Sequence, residues 1–269
     1  MFQYMLAPIE GYTDVSLRRL CFNHGADLTF TEMSKIDAIY KKTASSLKKT
    51  LLIDDTPTQI QILPGREDLL QKYLRNFKVS TGFRGFNFNF GCPNPKIKIV
   101  GKGAGMIKEI TKANRLIKIV KSQGFSVSIK MRVGETLIEK KEKVYLNLIK
   151  ETDPDFFVVH ARSGEDTYKD SVDYSVFPEC VDICKSKKIP LIANGNIDTI
   201  KIVDELKKVG VNGVMIGRSA VTNPAIFDLL KGNNVPSFDK LKKEYLFLAE
   251  KYHSSPRHKK NVLMRIGQN

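Results

Sequence analysis

The stretch Tyr4-Met5-Leu6-Ala7-Pro8-Ile9-Glu10-Gly11 decides between the two folds that repeated β-α units allow. Its first four residues read as a short, continuously apolar strand of the kind buried in a parallel sheet. Pro8-Ile9-Glu10-Gly11 then stands where a dinucleotide-binding doubly wound sheet carries a Gly-x-Gly-x-x-Gly turn. A nicotinamide Rossmann site is not expected here, and a closed barrel is.

Seven further runs share the character of the first: Leu28–Glu32, Gln59–Leu63, Gly85–Phe90, Val127–Met131, Phe156–His160, Leu191–Ala193 and Gly213–Ile216. Mixed stretches with helical character lie between them, among them Asp14–His24, Glu67–Asn76, Thr111–Gln123, Leu137–Glu151 and Ile200–Val209. Glycine or Asx residues punctuate their ends, as in Lys208-Val209-Gly210. Eight strands alternating with helices over roughly 230 residues fit an α/β fold of the (β/α)8 (TIM) barrel type. We expect residues 1–235 to form this catalytic barrel and 236–269 a short helical appendage. Residues 237–269 hold eight Lys or Arg against three acids, so the appendage is basic.

The whole chain of 269 residues carries 44 Lys and Arg against 29 Asp and Glu, a formal charge of +15. Such an excess favours a polyanionic partner through counterion release and steering, although a lysine-rich proteome gives the same balance without one. No run approaches the length of a spanning helix, and the N-terminus lacks the features of a secretory signal. A cytoplasmic protein with no membrane partner is expected, as a monomer. Cys21, Cys92, Cys180 and Cys184 are too few and too irregular for a disulfide framework. Cys180 and Cys184 fall on one helical face with no second ligand pair, so no metal is expected.

In such barrels reacting groups come from the C-terminal ends of the strands. Polar residues cluster there: Glu10, Gln61, Asn89, Cys92, Lys130, Arg132, His160, Arg162, Asn194, Asn196 and Arg218. Charges within apolar strands, as in Val127-Ser128-Ile129-Lys130, are costly without partners or a ligand. The seventh and eighth loops read Ala193-Asn194-Gly195-Asn196 and Ile216-Gly217-Arg218-Ser219, where barrels often bind phosphate; ordinary glycine turns read the same way. Cys92 sits in Asn89-Phe90-Gly91-Cys92-Pro93, either as a buried thiol or as a general acid, since ordinary thiols are protonated at neutral pH. The loop Lys96–Gly105 is lid-like in composition.

These segments, with Gln59-Ile60-Gln61-Ile62-Leu63, Gly101-Lys102-Gly103-Ala104-Gly105, His160-Ala161-Arg162 and Asn223-Pro224-Ala225-Ile226-Phe227, resemble the tRNA-dihydrouridine synthase family in order and spacing from residue 5 to about 227. The resemblance implies an oxidoreductase that saturates the C5=C6 bond of uridines in tRNA, with FMN at the barrel mouth and NADPH as reductant. It implies that Pro8, Ile9 and Glu10 line the flavin and that Gln61, Lys130 and His160 bond its polar edge. Asn194, Gly195, Asn196, Gly217 and Arg218 would hold its phosphate, and Cys92 would protonate C5. Asn89, Arg162 and Tyr168 are the implied substrate contacts. Ile9 and Tyr12 depart from the family pattern, and the segment after the barrel is shorter than the family's helical domain. Other readings are an FMN barrel acting on a free pyrimidine and a non-catalytic RNA-binding barrel.

Overall fold

The computed structural model describes residues 1–167 and 169–268. Eight strands form the barrel: β1 (Gln3–Leu6), β2 (Thr29–Phe30), β3 (Thr58–Leu63), β4 (Phe83–Phe90), β5 (Val127–Arg132), β6 (Phe156–His160), β7 (Leu191–Asn194) and β8 (Gly213–Ile216). Every neighbouring pair is parallel, and β1 returns to β8 with Met5 opposite Met215 and Leu6 opposite Ile216. The seam between β1 and β2 is slight. It rests on a Met5–Leu28 bridge, on Leu6 N donating to Leu28 O at 2.9 Å, and on Asp27 N donating to Tyr4 O at 2.7 Å. This is the expected (β/α)8 architecture, with strand positions within two residues of those read from the apolar runs at most ends.

Alternation along the strands sends one set of side chains outward to the helices and the other into the barrel. The outward set, including Leu6, Ile60, Phe86, Ile129, Val159 and Val214, is fully buried in one large apolar layer. The inward set divides by chemistry. Met5, Ala7, Phe30, Val158, Ile192 and Met215 form a separate apolar cluster. On the other side, buried amides and a hydroxyl from β3, β4 and β5 bond in series. Ser128 Oγ donates to Gln59 Oε1 at 2.5 Å, Asn87 Nδ2 to Ser128 Oγ at 2.7 Å, and Gln61 Nε2 to Asn87 Oδ1 at 2.7 Å. Buried polar groups are tolerable only when satisfied in this way.

Helices cover the outside. Val15–Asn23 opens at Asp14, whose Oδ1 accepts from Leu17 N at 3.1 Å, and Ile200–Val209 closes on Gly210 at φ +100°. The helix expected over Leu137–Glu151 is two, Leu137–Lys141 and Val144–Glu151. Lys143 takes a left-handed φ of +55° between them, which turns Tyr145, Leu148 and Ile149 into the core while the first segment buries none of its residues. Two short helices, Ile36–Tyr40 and Ala44–Thr50, follow a two-residue strand, Ser34–Lys35, that pairs with the end of β3. In the segment after the barrel, helix Phe238–Lys251 buries Leu241, Tyr245, Leu248 and Ala249, packing on Val15–Asn23. Helix Pro256–Leu263 follows. No helix among the described residues is long and apolar enough to cross a membrane.

Candidate active site

A cavity of about 1180 Å³ opens at the C-terminal ends of the strands. Its lining includes Pro8, Ile9, Glu10, Gln61, Asn89, Cys92, Lys130, His160, Arg162, Asn194, Gly195, Asn196, Gly217 and Arg218. Every site residue expected from sequence therefore meets there, except Tyr168, which lies outside the described residues.

The polar series inside the barrel leads to the cysteine. Asn89 Nδ2 donates to Gln61 Oε1 at 3.0 Å, while Asn89 Oδ1 accepts the amides of Gly91 at 3.1 Å and Cys92 at 2.9 Å. One carboxamide thus fixes the turn that carries the thiol. Of the four cysteines, Cys92 has access to the cavity, whereas Cys21, Cys180 and Cys184 are buried. Burial pushes the Cys184 thiol up to about 12, so it stays a protonated structural side chain. Behind Cys92, Gly103 has φ +60°, and a Cβ there would lie 2.7 Å from the Cys92 carbonyl oxygen. Gly103–Ile107 are buried, so the second half of the lid-like loop is a wall beneath Cys92.

A cationic wall begins on the neighbouring strand, where Lys130 pairs in register with Asn89. Lys130 Nζ donates to Asn194 Oδ1 at 2.9 Å, and Asn194 Nδ2 donates to the Met215 carbonyl at 2.7 Å. Burial, then the charge of Arg132, lowers Lys130 to about 7. His160 is 8% exposed. Burial, followed by Lys130, Arg132, Arg162 and Arg218, pushes it down to about 2. It is therefore a neutral imidazole, and its Nε2, 3.3 Å from Arg162 Nη1, accepts because a guanidinium cannot. Arg162 is buried and anchored by Nε and Nη2 to the Asp170 carbonyl at 3.1 and 2.5 Å. At the rim Arg218 Nη2 donates to Asn196 Oδ1 at 2.7 Å. Asn196 takes φ +44° and Gly195 φ +127°, where a Cβ would meet Val172 and His160 at 3.0 and 3.1 Å. The short helix Arg218–Thr222 starts at Gly217 without a side-chain cap.

Sequence reasoning missed several lining residues. Ala38, Thr43, Ser45 and Ser46 come from the two short helices, and Arg265 comes from the C-terminal segment. Ser34 also lines the cavity, and its buried hydroxyl finds no partner among the described residues. Glu10 pairs with Lys49, which also lines the cavity. Among the described residues no group of three or more His, Cys, Asp or Glu is arranged to hold a metal ion.

A family model described as dihydrouridine synthase (Dus) matches residues 5–269. A probable tRNA-dihydrouridine synthase from Helicobacter pylori is 32% identical over 236 residues, 85% of this chain and 70% of its own. The tRNA-dihydrouridine synthase B of Pseudomonas syringae is 27% identical over 252 residues, 91% of this chain and 74% of its own. Among solved structures, TcOYE with pHBA matches with a TM-score of 0.56 at 11% identity, covering 94% of this chain and 95% of its own. A variant of NCR from Zymomonas mobilis matches with a TM-score of 0.53 at 13% identity, covering 91% and 92%. The solved structures, at 11% and 13% identity, share the barrel alone, whereas the family model spans residues 5–269 and the Helicobacter pylori relative is 32% identical. On that match the chain belongs to the dihydrouridine synthase family.

Proposed function

We propose that this enzyme reduces the C5=C6 bond of uridine in tRNA, using FMN in the barrel-mouth cavity and NADPH as reductant. The observation that carries the reading is one cavity holding both the accessible thiol of Cys92 and the cationic wall of Lys130, Arg162 and Arg218. The residues fit the flavin: a buried ammonium whose hydrogen-bond partner is a neutral amide favours an anionic ligand. Gly195, at an angle side chains rarely adopt, and uncapped Gly217 lie beside Arg218 where a phosphate would sit. FMN held by these residues would supply the reducing equivalents as hydride.

Each residue then has a task. Pro8, Ile9 and Glu10 would line the flavin site. Lys130 stabilises negative charge at the ring's polar edge, where Gln61 keeps one amide N–H free of the Asn87 bond. His160, neutral and accepting from Arg162 at Nε2, keeps its other nitrogen as a donor. Asn194, Gly195, Asn196, Gly217 and Arg218 hold the phosphate end. Cys92, held in place by Asn89, would give the proton to C5. Arg162 orients the base, which must leave its stack to enter. The charge of +15 and the basic segment 236–269 supply the RNA-binding surface next to the catalytic barrel, residues 1–235.

The test is mass spectrometry of nucleosides from unmodified tRNA incubated with the protein, FMN and NADPH. A uridine product heavier by two hydrogens is expected. Unchanged tRNA while NADPH is consumed would transfer the reading to a small-molecule reductase.

A further inference from the structure

Gly11 ends the cavity loop Pro8–Gly11, is buried, and has φ +80°. Both polar groups of its backbone are held from far along the chain. Its N–H donates to Glu32 Oε1 at 2.5 Å, and its carbonyl accepts from Asn261 Nδ2 at 2.9 Å. Glu32 is 3% exposed, deep for a carboxylate. The same Oε1 meets His258 Nε2 at 2.9 Å, and His258 Nδ1 lies 2.7 Å from Ser255 Oγ, the cap of helix Pro256–Leu263. Lys49 Nζ stands farther off, 3.9 Å from Glu32 Oε2. At the helix's far end Gly267 N donates to Thr222 O at 2.9 Å, in the short helix that follows β8. Residues 256–267 therefore run as a strap from the loop after β1 to the helix after β8.

We propose that this strap is a positioning element of the cofactor cavity, acting through Glu32, His258 and Asn261 on the two peptide groups that flank Gly11. The proposal rests on the flavin reading above. Holding the two peptide groups on either side of Gly11 fixes its φ and ψ, and with them the direction in which Pro8 and Ile9 face the cavity. A glycine at positive φ would otherwise be the freest point of that loop. The two contacts span 226 and 250 residues, so neither is local helix or turn chemistry. Burial of Glu32 makes its partner obligatory, because a buried carboxylate without one is strongly disfavoured.

The experiment compares His258→Ala, His258→Gln and Asn261→Ala in the full chain, by FMN titration and by hydrogen exchange of the Gly11 amide. Both alanine variants should weaken FMN binding by on the order of tenfold, the weight of one buried hydrogen bond, and should speed Gly11 exchange. His258→Gln, which keeps a donor for Glu32, should restore most of the affinity. FMN affinity within twofold of wild type in both alanine variants, with Gly11 still protected, would overturn the proposal. Should His258→Ala fail to fold, Asn261→Ala decides alone, since it removes the carbonyl contact and leaves the buried carboxylate paired. Failure of the unaltered protein to bind FMN would overturn the flavin reading instead, and Gly11 exchange would still judge the clamp.

Discussion

The Lys130 ammonium at the end of β5 reaches past β6 to donate to Asn194 Oδ1 at the end of β7, 2.9 Å away. This cross-strand bond holds a charge at the centre of the cavity mouth with an amide as its partner. Its cost and its use both follow from burial.

With Lys130 lowered to about 7, an anion bound beside it raises that value again. Binding therefore takes up a proton once the pH exceeds about 7. FMN affinity should be level below pH 7 and fall as pH rises above it, and Lys130→Gln should flatten the slope. For folding without ligand, the unfolded chain holds more protons between pH 7 and the ordinary lysine range, so the penalty for burying Lys130 shrinks as pH rises. Lys130→Met should raise the Tm of FMN-free protein at neutral pH by a few degrees, and the gain should narrow in alkali. Fluorescence titration and calorimetry across that pH range check both signs.

Arg218 tests the phosphate corner. Removing a guanidinium that faces a phosphate should weaken FMN binding by about ten- to a hundredfold. Riboflavin, lacking the phosphate, should bind Arg218→Ala and wild type alike. An equal loss for both flavins would place Arg218 against the ring or the RNA.

Cys92→Ala should retain FMN and lose turnover by about 10²–10⁴-fold, the usual weight of a positioned general acid. Asn89→Ala should follow it in part, because the amides of Gly91 and Cys92 lose their shared acceptor. Single-turnover oxidation of pre-reduced enzyme by tRNA separates this step from flavin reduction. Wild-type rates in Cys92→Ala would remove the proton-donor role.

Strands were legible because a parallel barrel buries them on both faces, leaving continuous apolar runs such as Phe156–Val159. Polar residues interrupting those runs at their C-terminal ends, Lys130 and His160 among them, marked the cavity for the same reason. Segment 34–50 was opaque: helices of five and seven residues are too short to display a period. The strap was beyond reach for a different cause. His258 and Asn261 look like ordinary polar positions on a basic helix, and their meaning lies in Glu32 and Gly11, which only the closed fold brings near. Lys143 shows a third limit, since nothing in Lys141-Glu142-Lys143-Val144 announces a left-handed residue.

The slight seam between β1 and β2 carries a consequence for biosynthesis. Both strands belong to the first 30 residues, yet the groups bracing the loops beside them, His258 and Asn261, are made more than 220 residues later. A nascent chain can hydrogen-bond β3 through β8 in order as they emerge, but the rim around Gly11 stays slack until the strap is free of the ribosome. Ordering of that rim would then be a late, separate event in the life of the chain, after the barrel has its shape.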